Sequence, residues 1–95
     1  ELKKHLGKNV VQIFDVRTES EYHNGHIKGV ENMVLTSLEN NLDKISKDKP
    51  VIVHCQSGVR AAMAYSILKR NGVKNLKIYS GGINEWTEKK NELVK

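Results

Sequence analysis

At 95 residues the chain is long enough for one hydrophobic core and too short for two. A hydrophobic share of 38% and a charged share of 28% fit a globular domain, and no apolar run approaches the roughly 20 residues of a membrane span. The net charge of +5 is scattered rather than clustered and aromatics make up only 5%, which argues against a nucleic-acid partner.

Leu2 and Leu6, one helical turn apart, predict a short helical piece over residues 1–8, with Gly7 ending it. The run from Val10 to Val16 predicts the first strand, closing on Asp15-Val16-Arg17. Thr18-Glu19-Ser20-Glu21 fits a capping box and starts a helical turn through Tyr22. Gly25-His26-Ile27-Lys28-Gly29 reads as a loop between two glycine hinges, and Val30 to Val34 as a short strand. Thr36-Ser37-Leu38-Glu39 fits a second capping box, opening a helix with Leu38, Leu42 and Ile45 on one face. Lys47-Asp48-Lys49-Pro50 is a polar turn into Val51-Ile52-Val53, whose β-branched apolar run predicts a strand covered on both faces. A loop follows, and then Ala61, Ala64, Tyr65 and Leu68 recur at helical spacing until Asn71-Gly72 stops the helix. Leu76 to Tyr79 predicts the last strand. Ser80-Gly81-Gly82 breaks it ahead of a helix carrying Ile83 and Trp86 in its core, and the polar tail from Asn91 to Lys95 is expected to fray.

Strands alternating with helices predict an α/β fold with a mostly parallel sheet and helices on both faces. Such sheets bind ligands at the carboxyl ends of their strands. The segments Asp15–Arg17, Cys55–Arg60 and Ser80–Gly82 should therefore gather on one rim.

The loop Cys55-Gln56-Ser57-Gly58-Val59-Arg60 carries the chemistry. A loop from a strand end into a helix start aims backbone N–H groups at its concave side, and Gly58 lets the backbone curl tightly. An anion is the natural guest, and a Cys55 thiolate is one. The helix N-terminus and the Arg60 guanidinium both favour the thiolate, which is the nucleophilic form. The candidate set is Cys55 as nucleophile, with Gln56, Ser57, Gly58, Val59 and Arg60 binding the anion it reacts with. The bland alternative is an inert buried thiol, which leaves Gly58 and Arg60 unexplained. Cys55 is the single cysteine, so no internal disulfide forms and a reducing, cytoplasmic setting is expected. His5, His23, His26 and His54 lack metal-ligand spacing, so neither metal nor cofactor is expected.

Taken together, these segments resemble the rhodanese domain. The resemblance rests on Asp15-Val16-Arg17, Glu21-Tyr22 through Gly25-His26-Ile27, Gly29 to Asn32, the Cys55–Arg60 loop, and Gly81-Gly82 to Trp86. It spans nearly the whole chain, and the order of the segments makes it specific. It implies an α/β rhodanese-like fold with a central five-stranded sheet, mostly parallel, over residues 1–95. It also implies a sulfurtransferase in which Cys55 takes a sulfane sulfur from thiosulfate or a low-molecular-weight persulfide and passes it to a thiol or cyanide. Arg60 would hold the small anionic donor. Asp15 and Arg17 would pair to fix the first loop, His26 would support the fold, and Gly81 and Gly82 would let backbone approach the active loop. The acceptor would be a small thiol or a protein thiol, with no membrane and no nucleic acid involved.

The start at Glu1 rather than Met fits a domain of a longer enzyme, hence a sulfur-relay role beside a fused partner domain. A non-catalytic docking module is a further alternative, against which Cys55 and Arg60 both stand. Cysteine phosphatase or arsenate reductase activity is a less favoured alternative: cysteine phosphatases present a similar loop with five residues between Cys and Arg. The chain has four, Gln56 to Val59, a ring better suited to one extra sulfur than to a tetrahedral oxyanion.

Overall fold

Alternating side chains on the strand Val51–His54 sort the core into two layers. The structure, a computed structural model, describes residues 11–45, 49–73 and 75–95. Its elements are β1 (Gln12–Asp15), α1 (Glu19–His23), β2 (Glu31–Asn32), a 3₁₀ helix (Leu35–Lys44), β3 (Val51–His54), α2 (Val59–Arg70), β4 (Leu76–Ile78) and α3 (Gly82–Glu88). The strands run in the order β2-β1-β3-β4, with every pairing parallel. Strand β3 is buried along its whole length, as its β-branched run requires.

On one face Phe14, Val51 and Val53 pack with Ala61, Ala64 and Leu68 of α2 and with Leu38 and Ile45. On the other, Ile13 and Ile52 pack with Ile83 and Trp86 of α3 and with Ile27 and Val30. Helices therefore cover both faces, as the alternation predicts. Asp15 pairs with His54 in register, so β1 and β3 end flush and Cys55 lies one step beyond. Gly72 takes φ +90° past the end of α2. The bonds Val73 N–H to Leu68 O and Gly72 N–H to Lys69 O close a Schellman motif there.

Several expectations change. The sheet has four strands among the described residues rather than five. Residues 1–8, Val10 and, in the polar turn at 47–50, Lys47 and Asp48 lie outside the described residues. The strand expected over Val30–Val34 shrinks to Glu31–Asn32. Strand β1 ends at Asp15, and beyond it only single bonds continue, from Met33 N–H to Asp15 O and from Leu35 N–H to Val16 O. The second capping box does not form. The chain already winds at Leu35, with Val34 in the cap position and no side-chain cap bond, and a kink at Asn41 splits the 3₁₀ helix. The tether from Leu35 to Val16 starts that winding before Thr36 can cap it. Leu38 and Ile45 nevertheless reach the core.

The tail is docked rather than frayed. His26 and Val94 exchange two backbone bonds of 2.8 Å, and the Trp86 indole Nε1–H donates to Glu92 O at 2.8 Å. A buried indole needs an acceptor, and the apolar Leu93 packs beside the same cluster. No helix among the described residues is long and apolar enough to cross a membrane.

Candidate functional site

The geometry begins at the sulfur. Cys55 is the first residue past β3 and only 1% exposed. Its Sγ accepts N–H bonds from Gly58 at 3.0 Å and from Ala61 at 3.3 Å. Gly58 serves from inside the loop. Ala61 lies in the first turn of α2, where an N–H has no partner within the helix. Ala61 falls outside the residues the sequence points to, although the helix start marks it.

Two glycines shape this cradle. Gly58 takes φ +110°, and a Cβ there would stand 2.6 Å from Ser80 O. Gly82 takes φ +57°, and a Cβ there would overlap Cys55 O and lie 2.8 Å from Gln56 O. The close approach lets Ile83 N–H donate to Cys55 O and Asn84 N–H to Gln56 O, both at 3.0 Å. Gly81 differs from expectation: a Cβ there would meet the side chain of Glu85, not the active loop.

Asp15 and Arg17 form the second layer of the rim. Arg17 donates to the Asp15 carboxylate through Nε at 2.9 and 3.0 Å, through Nη2 at 2.8 Å and through its backbone N–H at 3.0 Å. The pair is buried. Arg17 also donates to Gly25 O at 2.7 Å and to Gln56 Oε1 at 3.3 Å. The Gln56 amide in turn donates to Asn84 Oδ1 at 2.7 Å, so its side chain ties the active loop to both neighbouring segments. Asn32 braces β1 with bonds to Asp15 O and Arg17 O.

His54 is fully buried, with Nδ1 3.3 Å from Cys55 O and Nε2 without a hydrogen-bond partner. Nε2 stands 4.0 Å from Asp15 Oδ2. Burial holds the imidazole below its ordinary pKa, against the opposing pull of Asp15, so it is neutral near pH 7. His26 stacks on Tyr22 at 3.8 Å with Nδ1 2.8 Å from Tyr22 O. The Tyr22 hydroxyl donates to Val30 O. His26 thus works in the fold.

Arg60 has a partner that sequence spacing does not reveal. Its Nη1 and Nη2 meet Glu21 Oε1 and Oε2 at 2.6 and 3.0 Å. The same Oε1 accepts from Thr18 N–H and Thr18 Oγ1 in the capping box at the start of α1. The guanidinium bonds hold the Glu21 carboxyl down at about 2. Glu21 likewise holds the Arg60 pKa above its ordinary value, with a smaller contribution from the charge of Cys55. Ser57 and Val59 point outward and are exposed.

A family model for the rhodanese-like domain matches residues 1–89. The chain belongs to the rhodanese-like domain family. It is 36% identical over 80 residues to the uncharacterized protein YqhL of Bacillus subtilis, covering 84% of the chain and 64% of that protein, so it spans under two thirds of that relative. It is 31% identical over 78 residues to the thiosulfate sulfurtransferase GlpE of Shewanella oneidensis, covering 82% of the chain and 77% of that protein. Among solved structures, the reduced CoADR-RHD of Bacillus anthracis aligns at TM-score 0.88 and 30% identity, covering all of this chain and 17% of that one.

Proposed function

We propose that this rhodanese-like domain is a sulfurtransferase working through a Cys55 persulfide. The observation that carries the reading is the pair of N–H bonds from Gly58 and Ala61 to Cys55 Sγ, set where the thiolate charge rests before attack and returns when the acceptor takes the sulfur. The Cys55 thiolate attacks the outer sulfur of thiosulfate or of a low-molecular-weight persulfide. A new S–S bond forms at Cys55 while the donor's own sulfur bond breaks, and sulfite or a thiolate leaves with the electron pair. The product is a Cys55 persulfide anion. A thiolate or cyanide then attacks the outer sulfur, takes it, and regenerates the Cys55 thiolate. Each step exchanges one anion for another, so no general acid or base is required. A neutral His54 is compatible with that.

The test is intact mass after incubation with thiosulfate or glutathione persulfide. A gain of one sulfur atom that a reducing thiol removes, and that Cys55→Ser never shows, supports the reading. No gain with either donor refutes it and turns attention to phosphatase or arsenate reductase activity.

Partial coverage of longer relatives favours a second reading, a sulfur-relay domain serving a fused or docked partner. In it the same Cys55 chemistry delivers sulfur to a protein thiol.

A further inference from the structure

We propose that Glu21 sets the donor class of this site: clamped on Arg60, its carboxylate disfavours dianionic donors such as thiosulfate and leaves Cys55 to weakly charged persulfides. The inference rests on the sulfurtransfer reading and narrows its substrate.

Arg60 is the cation at the end of the Cys55 loop, and an incoming anionic donor would seek its guanidinium. Glu21 already fills two of its N–H positions in bidentate geometry, the arrangement that makes such pairs strong and directional. Glu21 is itself fixed. Oε1 also accepts two bonds from Thr18, so the carboxylate cannot swing aside without opening the capping box. The pair is about a third exposed, 32% for Arg60 and 35% for Glu21, so a small anion in solution can reach it.

A thiosulfate dianion must then displace Glu21 or sit beside a carboxylate and a thiolate at once, and like charges at contact distance repel. A persulfide of an uncharged thiol carries at most one charge, so it depends less on the guanidinium and meets a weaker repulsion. A purely mechanical role is the competing account, in which the ion pair only pins α1 to α2. That role predicts lower stability in Glu21 variants with no change in donor preference.

The experiment compares kcat/KM for thiosulfate and for 2-hydroxyethyl persulfide in the wild type and in Glu21→Gln. Glutamine keeps an acceptor for the capping box while removing the charge and one of the two oxygens that accept from Arg60. The thiosulfate-to-persulfide ratio should rise about tenfold, carried mainly by a lower KM for thiosulfate. An unchanged or lower ratio overturns the proposal. If Glu21→Gln does not fold, Glu21→Asp withdraws the charge from Arg60 without deleting it. It should raise the ratio by a smaller factor, and no rise overturns the proposal.

If the wild type takes sulfur from neither donor, the sulfurtransfer reading fails by itself. The claim on Arg60 is then read by titrating thiosulfate into Cys55→Ser and into Cys55→Ser/Glu21→Gln while following the Arg60 Nε–H signal. Tighter binding in the double variant, about tenfold, supports the clamp, and equal binding overturns it.

Discussion

Arg17 closes on the carboxylate of Asp15, two positions away, with its backbone and its guanidinium together, and then reaches across to Gln56 in the active loop. The pair is buried, so removing one partner strands the other's charge. Arg17→Gln is expected to destabilise the fold by about 3–5 kcal/mol, read by urea denaturation. The double variant Asp15→Asn/Arg17→Gln should recover a good part of that loss. No recovery would mean that Arg17 matters through its bonds to Gly25 and Gln56 instead.

The two adjacent glycines should respond differently. Gly82→Ala combines a positive φ with a clash against the backbone of Cys55, and nothing there can move cheaply. A loss of roughly 2–4 kcal/mol is expected, with sulfur loading impaired in whatever protein folds. Gly81→Ala meets mainly the Glu85 side chain, which can rotate away, so its cost should be clearly smaller. Equal melting temperatures for the two variants would contradict this account.

His54 gives a pH signature. Burial depresses its pKa below 6.5 in the folded protein, so the unfolded chain binds a proton more readily. Stability is then full above 6.5 and declines as pH falls below it, by at most about 1.4 kcal/mol per pH unit. Glu21 acts in a separate window. Its carboxyl sits at about 2 instead of 4.5, so its stabilising contribution, small for a part-exposed pair, is lost only below 4.5. Denaturation measured between 6.5 and 4.5 should show a slope that His54→Phe flattens. An unaltered slope would assign the titration to another group.

Removing Leu93 to Lys95 should cost about 1–3 kcal/mol. The His26–Val94 bridge goes with it, and the Leu93 packing is lost. Trp86 fluorescence should shift to the red as water reaches the indole. A truncated domain with unchanged stability and emission would show that the docked tail contributes nothing.

Much of this architecture can be read along the chain because local chemistry decides it. Thr18 and Glu21 form the capping box that their spacing announces, and Gly72 ends α2 where a positive φ is needed. What escapes the sequence depends on contacts distant along it. Glu21 and Arg60 are 39 positions apart, and the capping motif supplies a complete local reason for Glu21 that conceals its second partner. Thr36 fails as a cap because Leu35 is held by Val16 across the sheet edge. The tail looks dispensable by composition, and only the placement of His26 and Trp86 gives it something to bind.

The bonds from Ile83 and Asn84 to the carbonyls of Cys55 and Gln56 bear on reorganisation. A peptide flip that turned either carbonyl toward the sulfur would have to break a bond to α3. The cradle is therefore rigid before any donor arrives. In the proposed transfer, thiolate and persulfide anion carry the same single charge, so the loop would pass between empty and loaded forms with its peptide planes at rest. In the proposed sulfur transfer such a preorganised loop would add no rearrangement of its own to either half-reaction.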